Sequence, residues 1–253
     1  MQPISVVIIC RDEEQYIGKV LESVSGLTDD IVVYDNGSTD RTMTIARSFG
    51  AQVHTGTWEG YGLTKNKANK LARYDWILSL DADESVDEQL KAVLNTFSPE
   101  NEKTVYQVAR RSFLGNRPLR FGEWGKDRQS RLFNRQFICW DDAAVHESLV
   151  LPPGTVIKKL GGFIEHRTMR DIQDYAEKIT RYAMLGARQY YQRGKKASWV
   201  KIHLAPGFSF LKNYFFRLGF LDGHPGYVCA KMTAVYTFLK YTRLKELQER
   251  KPG

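Results

Sequence analysis

Cysteine is scarce in this chain of 253 residues: Cys10, Cys139 and Cys229 stand far apart and form no metal-ligand spacing. That excludes a disulfide framework and a cysteine metal centre, and it fits a reducing compartment. No uncharged apolar run reaches the length of a membrane span. The apolar stretch 4–10 has no basic region before it and runs at once into Arg11-Asp12-Glu13-Glu14, so no secretory leader is expected. Internal repeats and low-complexity tracts are absent, and only 249–253 reads as a frayed tail. Acidic residues are in deficit, 29 Asp and Glu against 37 Lys and Arg, which gives a net charge of +8. Such a balance favours anionic partners: nucleotides, nucleic acid or an anionic membrane surface. The expectation is a cytoplasmic protein, soluble or at most peripheral to the membrane.

What is present begins with an alternation of elements. Residues 4–9 are apolar and β-branched, which suits a buried strand. Residues 14–24 carry Tyr16, Ile17, Val20, Leu21 and Val24 at helical spacing. A second strand is expected at 31–34 and a second helix at 39–49, capped by Ser38 or Thr39 and stopped by Gly50. A third strand at 52–54, a third helix at 64–72 and a fourth strand at 77–80 continue the series. Strand–helix alternation of this kind predicts an α/β fold: a mostly parallel sheet, flanked by helices, with its strand carboxyl ends on one edge.

Those ends collect acidic groups. Arg11, Asp12 and Glu13 follow the first strand, and Asp35-Asn36-Gly37-Ser38-Thr39-Asp40 follows the second. The fourth, Trp76-Ile77-Leu78-Ser79-Leu80, runs directly into Asp81-Ala82-Asp83-Glu84. Like charges repel, so three acidic strand ends are hard to explain by stability alone. Two carboxylates one residue apart at the edge where open sheets bind ligands suit a hard divalent cation, Mn²⁺ or Mg²⁺, held together with substrate phosphates. Alone, an Asp-x-Asp would more often be a loop capping the next helix, whose start falls near Asp87.

Three segments are expected: 1–100, 101–170 and 171–253. The middle one is rich in aromatics and turn residues and would shape an acceptor pocket. Of its aromatics Trp124 is expected to face a ligand and the others to pack. Helix returns at 171–193. Beyond Gly194 the chain is basic and aromatic, with apolar runs studded by Lys and Arg.

The joint pattern Ser5-Val6-Val7-Ile8-Ile9, Asp12-Glu13-Glu14, Asp35 to Thr42, Lys65-Asn66 and Asp81-Ala82-Asp83-Glu84 resembles glycosyltransferase family 2. Further on, 122–133 with Asp127 and Arg131-Leu132-Phe133, then Val145-His146-Glu147, then Phe220-Leu221-Asp222-Gly223 are similar to bacterial lipopolysaccharide core glucosyltransferases. The resemblance implies the GT-A fold, with a Rossmann-like sheet and a helical C-terminal extension. It also implies a UDP-sugar donor, a divalent metal and inversion at the anomeric carbon. Asp12 stands where that family often has Asn, Asn36 where it often has Asp or Ser, and Lys126 where it commonly has Pro.

In that frame Asp83 is the expected metal ligand. Asp81 is expected at the ribose or the metal's surroundings, Asp35 near the uracil and Lys65 near the nucleotide, with Asp12 and Glu13 lining the same donor site. For Lys65 a solvated helix position is nearly as good a reading. Arg131 is expected to pair with the diphosphate or with a site carboxylate. Glu147 matches the position of the catalytic base, with Asp127 a second catalytic candidate and His146 and Asp141-Asp142 as rivals. Partners would be a UDP-sugar, a glycan or glycolipid acceptor and an anionic membrane surface, but not nucleic acid. A nucleotidyltransferase would usually carry a Gly-rich basic loop after the first strand, where this chain is acidic. An aspartyl-phosphate phosphatase would carry Asp-x-Asp there rather than after the fourth strand. A degenerate basic membrane or nucleic-acid binder would not be expected to keep these carboxylates.

Overall fold

The computed structural model describes residues 2–125, 127–142 and 147–249. In chain order the elements are β1 (Ile4–Cys10), α1 (Ile17–Val24), β2 (Ile31–Asp35), α2 (Thr42–Ser48), β3 (Gln52–Thr55), α3 (Tyr61–Leu71), β4 (Trp76–Asp81), β5 (Glu84–Val86) and α4 (Glu88–Asn95). Strands β6 (Thr104–Leu114), β7 (Arg117–Pro118), β8 (Asp127–Asn134), β9 (Cys139–Trp140), β10 (Leu149–Val150) and β11 (Val156–Met169) follow. The rest is helical: α5 (Ile172–Gln192), α6 (Trp199–His203), α7 (Ala205–Leu211), a π turn (Lys212–Phe216), a 3₁₀ turn (Gly219–Asp222) and α8 (His224–Glu249). No helix among the described residues is long and apolar enough to cross a membrane.

The chain divides into two compact units. One holds Met1–Arg110 and Asp127–His166, the other Arg111–Lys126 and Arg167–Gly253. The cuts fall inside β6 and β11 and just before β8.

The first unit is built on a sheet of order β3-β2-β1-β4-β8-β6-β11-β5. Strands β3, β2, β1 and β4 run parallel, and β8 then joins β4 antiparallel. Strand β1 is buried along its whole length, as a central parallel strand covered on both faces should be. Its period-2 alternation sends Ile4, Val6, Ile8 and Cys10 to one face, against Ile17, Leu21 and Val24 of α1 and Leu90 of α4. Val7 and Ile9 go to the other face with Ala68 of α3, Phe133 and Trp140. Register levels the strand ends: Cys10 pairs with Asp35 and Ile9 with Asp81. The loops after β1, β2 and β4 therefore share one edge.

Helix α4 starts as the sequence predicts. Asp87 is its N-cap, accepting from Leu90 N at 2.8 Å, and also holds Phe163 N of β11 at 3.0 Å. Helix α2 differs. It begins at Thr42 rather than 39, and Asp40 Oδ1 accepts from Thr42 N at 2.9 Å, while Ser38 and Thr39 bond elsewhere.

In the second unit, Asp171 caps α5 by accepting from Asp174 N at 2.8 Å. Leu119, Met169, Tyr175 and Cys229 form its apolar cluster, with Trp124 packed on it. Trp124 meets Tyr175 edge to face at 6.5 Å and so sits in packing. Asp222 Oδ2 accepts from Arg120 N at 3.0 Å and Phe121 N at 2.9 Å, tying the 3₁₀ turn to the loop after β7.

Candidate active site

The acidic loops at the sheet edge hold each other. Asp12 takes a left-handed conformation (φ 54°), which Asp and Asn tolerate better than most residues. Its backbone N donates to Ser38 Oγ at 2.9 Å, and its Oδ1 accepts from Thr39 N at 2.7 Å. Glu13 N donates to Thr42 Oγ1 at 2.8 Å. Asp35 is fully buried: Oδ2 accepts from Gly37 N and Ser38 N, both at 3.0 Å, and Oδ1 takes the Ser38 hydroxyl. Stability thus accounts for part of this acidity. Carboxylates are good acceptors for the backbone N–H groups of tight turns.

Beyond Asp81 the charges alternate in one connected series. Lys65 Nζ lies 2.7 Å from Glu147 Oε1 and 2.9 Å from Asp81 Oδ1, and 4.6 Å above the Trp140 ring. Arg131 Nη2 binds Asp81 Oδ2 and Glu84 Oε1, both at 2.6 Å. Arg110 reaches Glu84 at 3.4 Å and binds Asp127 through Nε at 2.6 Å. The order is Glu147, Lys65, Asp81, Arg131, Glu84, Arg110, Asp127, four acids and three bases. Lys65 is only 2% exposed and Glu84 is fully buried, so each leans on its opposite charges. Burial alone would raise the pKa of Asp81, but Arg131 first and Lys65 second hold it well below the usual carboxylate range.

Asp83 stands outside that series. Its Oδ2 lies 3.2 Å from His166 Nε2, and both side chains are mostly buried. The antiparallel pairing of β11 on β5 puts His166 opposite Glu84, which brings the imidazole to the Asp-x-Asp turn.

The structure therefore brings together Lys65, Asp81, Arg131, Asp127 and Glu147 directly, and Asp83 beside them. Asp12, Glu13 and Asp35 belong to the neighbouring loops. Arg131 pairs with site carboxylates, and Lys65 is buried rather than solvated. His146, Val145 and Lys126 lie outside the described residues, and Asp141 N bonds Ser148 O at 2.9 Å. Sequence reasoning did not single out His166 or Arg110 and assigned no role to Glu84. The signal for Glu84 was its place directly after Asp83.

A carboxylate and an imidazole side by side are good donors to a divalent cation such as Mn²⁺. No group of three or more His, Cys, Asp or Glu side chains converges among the described residues. Both oxygens of Asp81 already accept from cations, whereas among the described residues the side chains of Asp83 and His166 are held only by each other, at 3.2 Å.

A mixed, mostly parallel sheet flanked by helices, with acidic loops on one edge, is the architecture of a GT-A glycosyltransferase. The chain belongs to glycosyltransferase family 2, whose model (Glycosyl transferase family 2) matches residues 5–149. It is 31% identical to the lipopolysaccharide core biosynthesis glycosyltransferase LpsC of Rhizobium meliloti, over 96% of this chain and 92% of that one. An uncharacterized glycosyltransferase of Rickettsia typhi is 30% identical over 98% of this chain and 88% of its own. Among solved structures, S. aureus TarS aligns with 94% of this chain and 55% of its own at 15% identity, with a TM-score of 0.46. Family membership removes the nucleotidyltransferase and the phosphatase from consideration.

Proposed function

We propose that this enzyme transfers a hexose, glucose by family resemblance, from a UDP-sugar to a lipid-linked glycan such as lipopolysaccharide core, with inversion. One observation carries the donor half: Asp83 and His166 meet at 3.2 Å on the strand-end edge, beside the charge series. A divalent cation held there would neutralise charge on the departing diphosphate. The chain's own groups do the rest. Asp35, Asp12 and Glu13 shape the loops that would receive uracil and ribose. Arg131 and Lys65 fix Asp81 from two sides, so its carboxylate keeps one orientation toward the donor. Glu147, on the acceptor side, takes the proton of the attacking hydroxyl, and Asp127, held by Arg110, lines the same face. The Lys65 bond uses Glu147 Oε1 and leaves Oε2 without a partner among the described residues.

The acceptor assignment draws on the similarity to LpsC, and the net positive charge suits a position at the inner face of the membrane. The test is a donor screen that measures UDP released from a panel of UDP-sugars, with and without Mn²⁺. Stimulation by Mn²⁺ that disappears in Asp83→Ala supports the reading. Undiminished turnover in excess chelator would overturn the metal's part, and release of no nucleoside diphosphate from any donor would overturn the activity.

A further inference from the structure

Between Glu177 and Asp222 the chain has no acidic residue and nine Lys and Arg. The centre of this stretch forms α6, α7 and the π turn. Neither α6 nor α7 buries any residue. Trp199 is 68% exposed, Phe208 63% and Phe216 78%, with Leu204, Leu211 and Phe215 also exposed. Soluble chains rarely present so many large apolar side chains along one short segment.

Behind α6 lies a recess of about 360 Å³ lined by Tyr190, Lys195, Lys196, Lys201 and Tyr241. It is built, not frayed. Gly194 (φ 64°) ends α5 and lets Lys195 N reach Tyr190 O at 2.9 Å. Gln248 of α8 then pins the connection, accepting from Ala197 N at 3.2 Å and donating to Lys195 O at 2.8 Å. Lys195 Nζ lies 4.3 Å from the Tyr190 ring centre. Among the described residues no acid lines the recess, and Glu246 and Glu249 of α8 pair with Arg243 and Lys245. Three lysines and two tyrosines line this space, with Lys201 Nζ donating to Lys196 O at 2.9 Å, and a lining of that charge suits an oxyanion of phosphate size. Helix α6 contributes Lys201 to the recess and Trp199 to the apolar surface. The ligand that satisfies both is an amphiphile with an anionic head.

We propose that this segment docks on an anionic phospholipid surface: the recess takes a headgroup phosphate while Trp199, Phe208 and Phe216 enter the membrane interface. The shallow, aromatic and basic character matches interfacial helices that lie in the membrane plane. The proposal deepens the reading of a membrane-borne acceptor and rests on it, since docking would hold the enzyme where that acceptor lies.

The test sediments the full chain with vesicles of phosphatidylglycerol and phosphatidylcholine in equal parts, and with phosphatidylcholine alone. Co-sedimentation with the anionic vesicles at low salt, release at high salt and no binding to neutral vesicles is the expected result. Lys195→Ala, Lys196→Ala and Lys201→Ala together should weaken binding about a hundredfold. Phe208→Ser with Phe216→Ser should abolish sedimentation, and a lipid-induced fluorescence blue shift should vanish in Trp199→Phe. All these positions are exposed, so unchanged thermal melts are expected. UDP release in solution should be untouched in every variant. If wild type releases no UDP but still binds vesicles, the catalytic reading fails and the docking site survives. Wild type left in the supernatant, or variants that bind as well as wild type, would overturn the docking site. So would full competition by inorganic phosphate, or a lipid-free dimer that Phe208→Ser with Phe216→Ser disperses.

Discussion

Lys65 and Glu147 lie 82 positions apart in sequence, yet 2.7 Å separates Nζ from Oε1, and the ammonium is almost wholly removed from water. The bond ties helix α3 to the segment that carries the proposed base. Glu147→Gln preserves the shape and removes the basicity. Turnover should fall roughly 10²- to 10⁴-fold, the usual contribution of a general base, while the KM for the UDP-sugar barely moves. A mild Glu147→Gln beside a crippling His146→Ala would reassign the base. Lys65→Met should act differently, leaving Asp81 and Glu147 facing each other without their shared cation. A stability loss of about 3 kcal/mol in urea titration is expected.

The Asp83–His166 pair makes a separate prediction. Calorimetric titration with Mn²⁺ in the presence of UDP should show binding in wild type. That binding should be lost in Asp83→Ala and weakened at least tenfold in His166→Ala, as for loss of one ligand of a small set. Circular dichroism of both variants should match wild type. Unaltered Mn²⁺ binding by His166→Ala would limit the histidine to a hydrogen bond with Asp83.

Much of this could be read from the residues, because the relevant signals are local. Runs such as Ile4–Cys10 and Trp76–Asp81 announce buried strands, and Asp87 three residues before Leu90 announces a cap. The α/β class and the Asp81–Asp83 edge follow from these. What stayed hidden depends on pairing between distant strands. His166 reaches Asp83 only because β11 pairs antiparallel with β5 in one register, and no spacing within 104–169 encodes that register. Arg110 looked like any strand arginine until β8 placed Asp127 beside it. The burial of Lys65 was illegible for the same reason: a helix shows which residues share a face, not which opposite charges will meet it. The cap of α2 was misplaced because Ser38 and Thr39 are good caps in sequence, but Asp12 and Asp35 engage them, and the helix starts at Thr42 after Arg41, which makes no side-chain cap bond.

Asp81 gives the protein a pH signature. Its native pKa is lowered, so its stabilising contribution is complete above the ordinary carboxylate value of about 4 and declines progressively as pH falls below it. Asp81→Asn removes that contribution. The stability difference between wild type and Asp81→Asn should be constant from neutral pH down to about 4 and shrink only in stronger acid. A difference that already closes near pH 6 would show that the pKa is not lowered.

Thiol chemistry should be confined to one position. Cys10 and Cys229 are buried while Cys139 is exposed. Burial first, and the Asp35 carboxylate second, push the Cys10 thiol up, and burial pushes Cys229 to about 12. A maleimide under native conditions should therefore label Cys139 alone, as read by peptide mass spectrometry, with the other two reacting only after denaturation.

Asp222 separates two meanings of the Phe220-Leu221-Asp222-Gly223 motif. The structure gives its carboxylate two backbone donors, Arg120 N and Phe121 N, across about a hundred positions of sequence. Close packing surrounds it: a side chain at Gly226 would strike Gly219 O, and Gly219 in turn lies tight against Asn213 O. These contacts make Asp222 a clamp for the loop that begins with Arg120. Removing a charged acceptor from two backbone N–H groups should cost about 1–3 kcal/mol, toward the lower end because the site is only partly buried. Asp222→Ala should lower the melting temperature, and Asp222→Asn, which keeps one acceptor oxygen, should recover part of the loss. Catalytic constants measured well below the melting range should change little. An Asp222→Ala protein with an unchanged melting temperature and a large fall in kcat/KM for the acceptor would instead make Asp222 a substrate contact.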